Sequence, residues 1–220
     1  MRNFYSGAMS DLFGGLAAAS PPDQSPADAP LADRLRPATL ADVVGQDHLT
    51  GPEGAIGRMV AVGRLSSMIL WGPPGTGKTT LARLLADAVG MRFAPISAVF
   101  SGVADLKAAF AAARDAARAG QRTLLFVDEI HRFNRAQQDG FLPYVEDGTV
   151  TLVGATTENP SFALNAALLS RAQVLILRRL DEAALGELIA RAEALTGKPL
   201  PLTPDARAAL IASADGDGRF

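Results

Sequence analysis

Ser67–Trp71 (SMILW) is a short apolar run that stops abruptly at Gly72-Pro73-Pro74. A run this short and this apolar reads as a strand buried on both faces. Lys78–Val89 follows, with Leu81, Leu84, Leu85 and Val89 on one helical face and Gly90 as a C-terminal stop. Between strand and helix stands Gly72-Pro73-Pro74-Gly75-Thr76-Gly77-Lys78-Thr79-Thr80, which keeps the spacing Gly-x4-Gly-Lys-Thr. Glycines let successive backbone N–H groups turn inward around an anion, and the helix N-terminus adds a partial positive charge. The chain has only three lysines, Lys78, Lys107 and Lys198, and one stands where such a loop needs a cation for terminal phosphates. Residues 72–80 therefore read as a cradle for nucleotide phosphates, with the Thr79 hydroxyl offered to Mg²⁺. The alternative is an ordinary glycine-rich strand–helix turn.

The same strand–helix pattern recurs along the chain. Arg92–Ser97, Thr123–Val127 (TLLFV), Thr149–Thr156 and Gln173–Leu177 read as further strands. Ser101 is placed to cap a helix running to Ala119, with Leu106, Phe110, Ala113 and Ala117 as its apolar stripe. Asn134–Glu146 reads as a helix that Pro143 should kink or end. Five buried strands separated by helices predict an α/β fold with a parallel sheet flanked by helices on both faces. Asp181–Leu195 and Thr203–Ala214 are helical, the second capped by Thr203 and opened by Pro204. No strand follows, so a small helical subdomain begins near Leu180. Residues 20–30 (SPPDQSPADAP) read as a linker, because prolines at this density do not pack. The expected partition is a tail and linker over 1–30, a core over 31–180 and helices over 181–220.

Composition closes several other routes. With 48% hydrophobic and 20% charged residues the chain is globular in character. It has no cysteine, which excludes disulfide scaffolds, thiolate zinc sites and a cysteine nucleophile. A net charge of −2 gives no global basic field, so any DNA contact must come from a local patch. No apolar run approaches the ~18 residues of a membrane span. Ser10 and Asp11 interrupt the weakly apolar start, which argues against a secretion signal and for a cytoplasmic protein. Met9 is an alternative start to Met1.

Leu124-Leu125-Phe126-Val127-Asp128-Glu129 ends a buried strand in two carboxylates. Downstream of a phosphate loop, Asp128 suits Mg²⁺ and Glu129 suits polarisation of an attacking water. A solvated strand-end turn is the plainer alternative. Neither His48 nor His131 is given a catalytic role by its position in the sequence.

With these parts in this order the chain resembles the AAA+ ATPases, P-loop NTPases with a five-stranded parallel sheet and a helical lid. The Walker A element would be Gly72–Thr79 and Walker B Leu124–Glu129. In Gly154-Ala155-Thr156-Thr157 the resemblance places the sensor of the γ-phosphate best at Thr157 and next at Thr156. Ser170-Arg171 resembles the arginine finger that acts on a neighbouring subunit's nucleotide; a cation at a helix C-terminus is the alternative. Gly216-Asp217-Gly218-Arg219 resembles sensor 2, whose arginine, here Arg219, reaches the nucleotide from the lid. Arg36-Pro37 and Val43-Val44-Gly45-Gln46 resemble the linker beside the adenine pocket.

Three strings narrow the resemblance: PLADRLRPATLADVVGQDHL, DEIHRFNRAQQDGFLPYVEDG and GATTENPSFALNAALLSRAQV. They are similar to the replication-associated recombination protein A family, with relatives in the eukaryotic Werner-helicase-interacting proteins. This resemblance implies an ATP- and Mg²⁺-dependent hydrolase acting on single-stranded, gapped or forked DNA at stalled or damaged replication forks, and so a nucleoid-associated protein. It also implies single-stranded-DNA-binding protein as a partner and assembly as tetramers. Family members continue beyond the sensor 2 arginine, so a chain ending at Phe220 is expected to be a truncated fragment without the rest of the lid or the oligomerisation domain. A clamp-loader-like subunit and a nucleotide-gated scaffold of the replisome are the alternatives; the 131–135 string disfavours the first, and Glu129 with Arg171 the second. Arg132 and Arg135, just after Walker B, either contact DNA phosphates or pair with acids such as Asp139. Met9-Ser10-Asp11-Leu12-Phe13 resembles a sliding-clamp docking peptide, with Leu12 and Phe13 as its apolar anchors.

Overall fold

The apolar runs become strands at nearly the expected places. The computed structural model describes residues 30–219. Met9, Leu12 and Phe13 lie outside the described residues. In chain order the elements are α1 (Leu31–Arg34), α2 (Asp47–Thr50), α3 (Ala55–Ala61), β1 (Met68–Trp71), α4 (Lys78–Ala88), β2 (Arg92–Ser97), α5 (Val103–Arg118), β3 (Thr123–Asp128), α6 (Arg135–Asp139) and α7 (Leu142–Glu146). They continue with β4 (Val150–Thr156), α8 (Pro160–Ala163), α9 (Ala166–Leu169), β5 (Gln173–Ile176), α10 (Glu182–Thr196) and α11 (Pro204–Ala214). The chain divides into two units, 1–34 and 35–220. In the first, α1 is a single turn closed by Asp33 and Arg34 N–H groups on the Pro30 carbonyl.

In the second unit the five strands form one parallel sheet in the order β2-β3-β4-β1-β5. The strand period of two sorts its side chains onto two faces. Leu124, Phe126, Met68 and Leu70 pack with Leu81 and Leu85 of α4 on one face. Leu125, Val127, Ile69 and Leu152 pack with Leu106 and Phe110 of α5 on the other. Both faces of the central strands are thus covered, but not all five strands are buried as expected: β2, at one margin of the sheet, is half-buried and β5, at the other, is largely exposed, each having a neighbouring strand on one side. A third, smaller cluster joins α10 and α11 through Leu180, Ala184, Leu185 and Ala214, with Val44 against it. Because every strand runs the same way, Trp71, Asp128 and Thr156 all leave the sheet at its carboxyl end, where ligands of open α/β sheets bind.

Three local expectations change. The cap of α5 is Gly102, not Ser101: the Asp105 carboxylate accepts the Gly102 N–H at 2.7 Å, an i+3 contact that holds the first turn. Ala117 is exposed, so the buried stripe of α5 stops at Ala113. The 134–146 helix is two helices broken at Gly140-Phe141. Pro143 lies in the first turn of α7, where its missing N–H removes no hydrogen bond. Phe141 fills the break by burying completely beside Phe110 and Phe133.

Candidate nucleotide-binding and hydrolysis site

The loop 72–77 joins β1 to α4 in a shape that its glycines permit. Gly77 caps α4 with φ 86 and Gly75 has φ 70, the left-handed region that side chains rarely adopt. A Cβ on Gly75 would also overlap the Asp217 carboxyl, so the loop and the 216–219 turn touch here. The Gly218 N–H donates to the Gly75 carbonyl at 3.1 Å. Buried Thr76 donates its hydroxyl to the Pro73 carbonyl at 3.0 Å. Thr79 and Thr80 lie half-buried in the first turn of α4, whose N–H groups have no partner within the helix. Lys78 is buried, and its Nζ donates to the Gly72 and Pro73 carbonyls at 2.8 Å each. Burial pushes its ammonium below the ordinary lysine range. The carboxylates of Glu129 and Asp128 pull it back, and Arg219 adds to the push downward.

Those carboxylates come from the end of β3. Asp128 is its last residue, and Glu129 turns the chain with φ 52, left-handed without being glycine. That conformation costs an L-residue about 1 kcal/mol and is found at functional sites. Fully buried Ile130 and nearly buried Phe133 hold the turn in place against the sheet. Oε2 of Glu129 is buried and makes no hydrogen bond among the described residues. It lies 3.2 Å from Nδ1 of His131, outside hydrogen-bonding geometry. The His131 ring is itself held at 2.9 Å from Thr156 Oγ1.

β4 lies between β3 and β1, so its end falls between the acid pair and the phosphate loop. Thr156 is fully buried there, whereas Thr157 is exposed one residue past the strand. The end of the strand separates the two threonines, and the hydroxyl in contact with the acid-pair turn is that of Thr156. Arg219 stands at the other side of the loop. Its Nε and Nη2 hold the Asp217 carboxylate at 3.1 and 2.8 Å. That pairing keeps Asp217 below the usual carboxylate range and raises Arg219 further.

A family model described as the ATPase family associated with various cellular activities (AAA) matches residues 68–180. The chain belongs to that family. Over 195 residues it is 48% identical to the replication-associated recombination protein A of Escherichia coli strain K12, covering 86% of this chain. It is 50% identical, with the same coverage, to the protein of that name in Coxiella burnetii. It spans 44% of the length of each of these two relatives. A solved structure of Thermotoga maritima RuvB superposes with a TM-score of 0.68 at 29% identity, covering 84% of this chain and 62% of that one.

Membership in the AAA family implies nucleotide binding, and the remaining residues fall around that site or away from it. The stretch Val43–His48 runs between the sheet and the α10–α11 pair. Buried Gln46 grips the Arg178 backbone from both sides, donating to its carbonyl at 2.8 Å and accepting its N–H at 3.1 Å. Arg171 is not brought to the loop. It is exposed after α9, with Nε donating to Glu146 at 2.6 Å and Nη1 to the Ala167 carbonyl at 2.9 Å. Arg132 and Arg135 are exposed. Asp139, their expected acidic partner, instead accepts from Asn165 at 2.7 Å. Gln138, unnoticed in the sequence, is buried and ties three backbone groups together, those of Phe133, Ala163 and Asn165. Gln138 thus joins α6 to α8 and to the start of α9. His131 also lacks a sequence signal beyond its place just after the acid pair.

Proposed function

We propose that this chain is the Mg-ATP-hydrolysing part of a factor acting on DNA at stalled or damaged replication forks, in replication-coupled recombination and repair. The observation that carries the reading is the convergence of Lys78, Asp128, Glu129 and the end of β4 at the carboxyl end of the sheet. The names of the relatives support the DNA context. The residues fit a bound nucleotide: a buried ammonium, a glycine loop shaped for anions and an acid oxygen without a hydrogen bond among the described residues. Lys78 neutralises the β- and γ-phosphates, and residues 72–80 supply N–H groups. The Thr79 hydroxyl and the Asp128 carboxylate would hold Mg²⁺, which supplies charge neutralisation at the phosphates. Glu129 orients the attacking water and accepts its proton. The water oxygen bonds to the γ-phosphorus as the bridging P–O bond breaks, giving ADP and inorganic phosphate. Arg219 reaches the nucleotide by exchanging Asp217 for phosphate, Thr157 or Thr156 senses the γ-phosphate, and Arg171 acts on a neighbouring subunit.

On this reading 31–180 is the ATPase core, 181–220 begins the lid, and the protein works in the cytoplasmic nucleoid as a tetramer beside single-stranded-DNA-binding protein. Sliding-clamp docking through Leu12 and Phe13 belongs to the same reading. No helix among the described residues is long and apolar enough to cross a membrane. The test is phosphate release by the whole protein in Mg²⁺, with and without single-stranded or gapped DNA. Turnover that DNA stimulates is expected. Nucleotide bound but never turned over would establish the scaffold reading instead.

Arg132 and Arg135 give the DNA arm its own test. Each phosphate contact contributes about one unit to the slope of log affinity against log salt. Changing both to alanine in the whole protein should therefore weaken DNA binding and flatten the slope by about two units. An unchanged affinity and slope would assign them to the solvated surface.

A further inference from the structure

Glu129 needs something to hold it. Its backbone is left-handed, and its buried Oε2 makes no hydrogen bond among the described residues. The side chain facing it is His131, with Nδ1 at 3.2 Å from that oxygen. The His131 side chain is 4% exposed, so the ring has little room to turn. Two further contacts fix it. Nδ1 is 2.9 Å from Thr156 Oγ1, and Nε2 is 3.4 Å from Glu158 Oε1. Thr156 in turn is fully buried and accepts the Glu158 N–H at 3.0 Å. The ring therefore bridges the ends of β3 and β4, two neighbouring strands whose register the sheet sets.

We propose that His131 is a positioning residue for Glu129: clamped by Thr156 and Glu158, its ring holds the Glu129 carboxylate in the pose that orients the attacking water. This rests on the reading of Glu129 as the hydrolytic base. The ring contributes at the turnover step and not to nucleotide binding, because its polar contacts among the described residues are to the acid-pair turn, the end of β4 and Glu158 just beyond it. Glu158 is the outer member of the clamp; its side chain is 59% exposed, so it can be changed without opening the core.

The experiment measures kcat, KM and ATP-analogue binding on the whole protein for His131→Ala, His131→Asn, His131→Phe and Glu158→Ala, with Glu129→Gln alongside. His131→Ala should lower kcat by about tenfold or more and leave KM and binding within about twofold. Asparagine places an amide near the position of Nδ1, so His131→Asn should recover much of the rate. His131→Phe fills the space without a nitrogen and should stay slow. Glu158→Ala should cost a few-fold in kcat, and combining it with His131→Ala should add nothing, since the two act through one ring. A parental rate in His131→Phe would mean that the ring only packs, and would overturn the proposal. So would losses in binding that match the losses in kcat. If Glu129→Gln is slow while His131→Ala is not, this proposal alone falls. If Glu129→Gln runs at the parental rate, the base assignment falls and takes this proposal with it.

Discussion

Replacing Lys78 with alanine is expected to weaken nucleotide binding severely and abolish turnover while leaving the fold standing. Among the described residues Lys78 Nζ bonds to the two loop carbonyls, Gly72 and Pro73, and its ammonium is buried among charges of both signs. Burial lowers its pKa despite the help of Glu129 and Asp128. A lysine whose folded pKa lies below its unfolded one is held charged at a net cost at neutral pH, and that cost fades only as pH rises toward the unfolded value. Removing the charge therefore relieves the folded state of a burden, and alanine is the better helix former at the start of α4. The melting temperature without nucleotide should move by no more than about 4 °C, the scale of ~1 kcal/mol in a chain of this size. Binding should behave oppositely, because charge-assisted bonds to the phosphates vanish. A loss of about 100-fold or more in affinity follows if the ammonium supplies ~3 kcal/mol to bound phosphates. Calorimetric titration with ATP and a thermal melt on the same sample decide the matter. A variant that unfolds, or one that still turns over ATP, contradicts the assignment.

How far the sequence reached can be seen residue by residue. The phosphate loop was legible because its chemistry restricts residue types: few residues besides glycine tolerate φ 70 or 86, and the loop needs a cation at a fixed distance from them. The central strands β1, β3 and β4 were legible because burial on both faces leaves continuous apolar runs; strand ends move by a residue, with Asp128 joining β3 and Thr149 and Leu177 left outside β4 and β5. Ser67 stays out of β1, and its Oγ accepts the Leu152 N–H at 3.0 Å instead. What could not be read is what depends on strand order. No local pattern says that β4 inserts between β3 and β1, and only that insertion sets Thr156 beside His131. The choice between Thr156 and Thr157 has the same origin. Thr156 ends β4 and is buried while Thr157 lies just past it and is exposed, a difference set by where the strand stops in the sheet. Gln138 was hidden for a related reason: its three backbone partners lie on segments that meet only after folding.

Glu129→Gln separates binding from chemistry, and the geometry gives it a clean outcome. Glutamine matches glutamate in size, so the left-handed turn at φ 52 and the burial of Ile130 beneath it survive. Asp128 at the end of β3 is untouched, so the candidate Mg²⁺ ligand remains. The contacts of Lys78 to the Gly72 and Pro73 carbonyls do not involve Glu129. Nucleotide affinity should accordingly stay within a few-fold of the parent. The amide, however, cannot accept the proton of an attacking water, and general-base catalysis contributes about 10²–10⁴-fold. Turnover in the whole protein should fall by that factor, through kcat and with KM little changed. The variant should then accumulate in its ATP-bound form. Rapid-quench analysis of a single turnover, with bound ATP and ADP separated, reads this directly. Bound ATP that persists over many parental turnover times is the expected result. ATP consumed at the parental rate would move the base away from Glu129 and leave the acid pair as a metal-binding strand end alone.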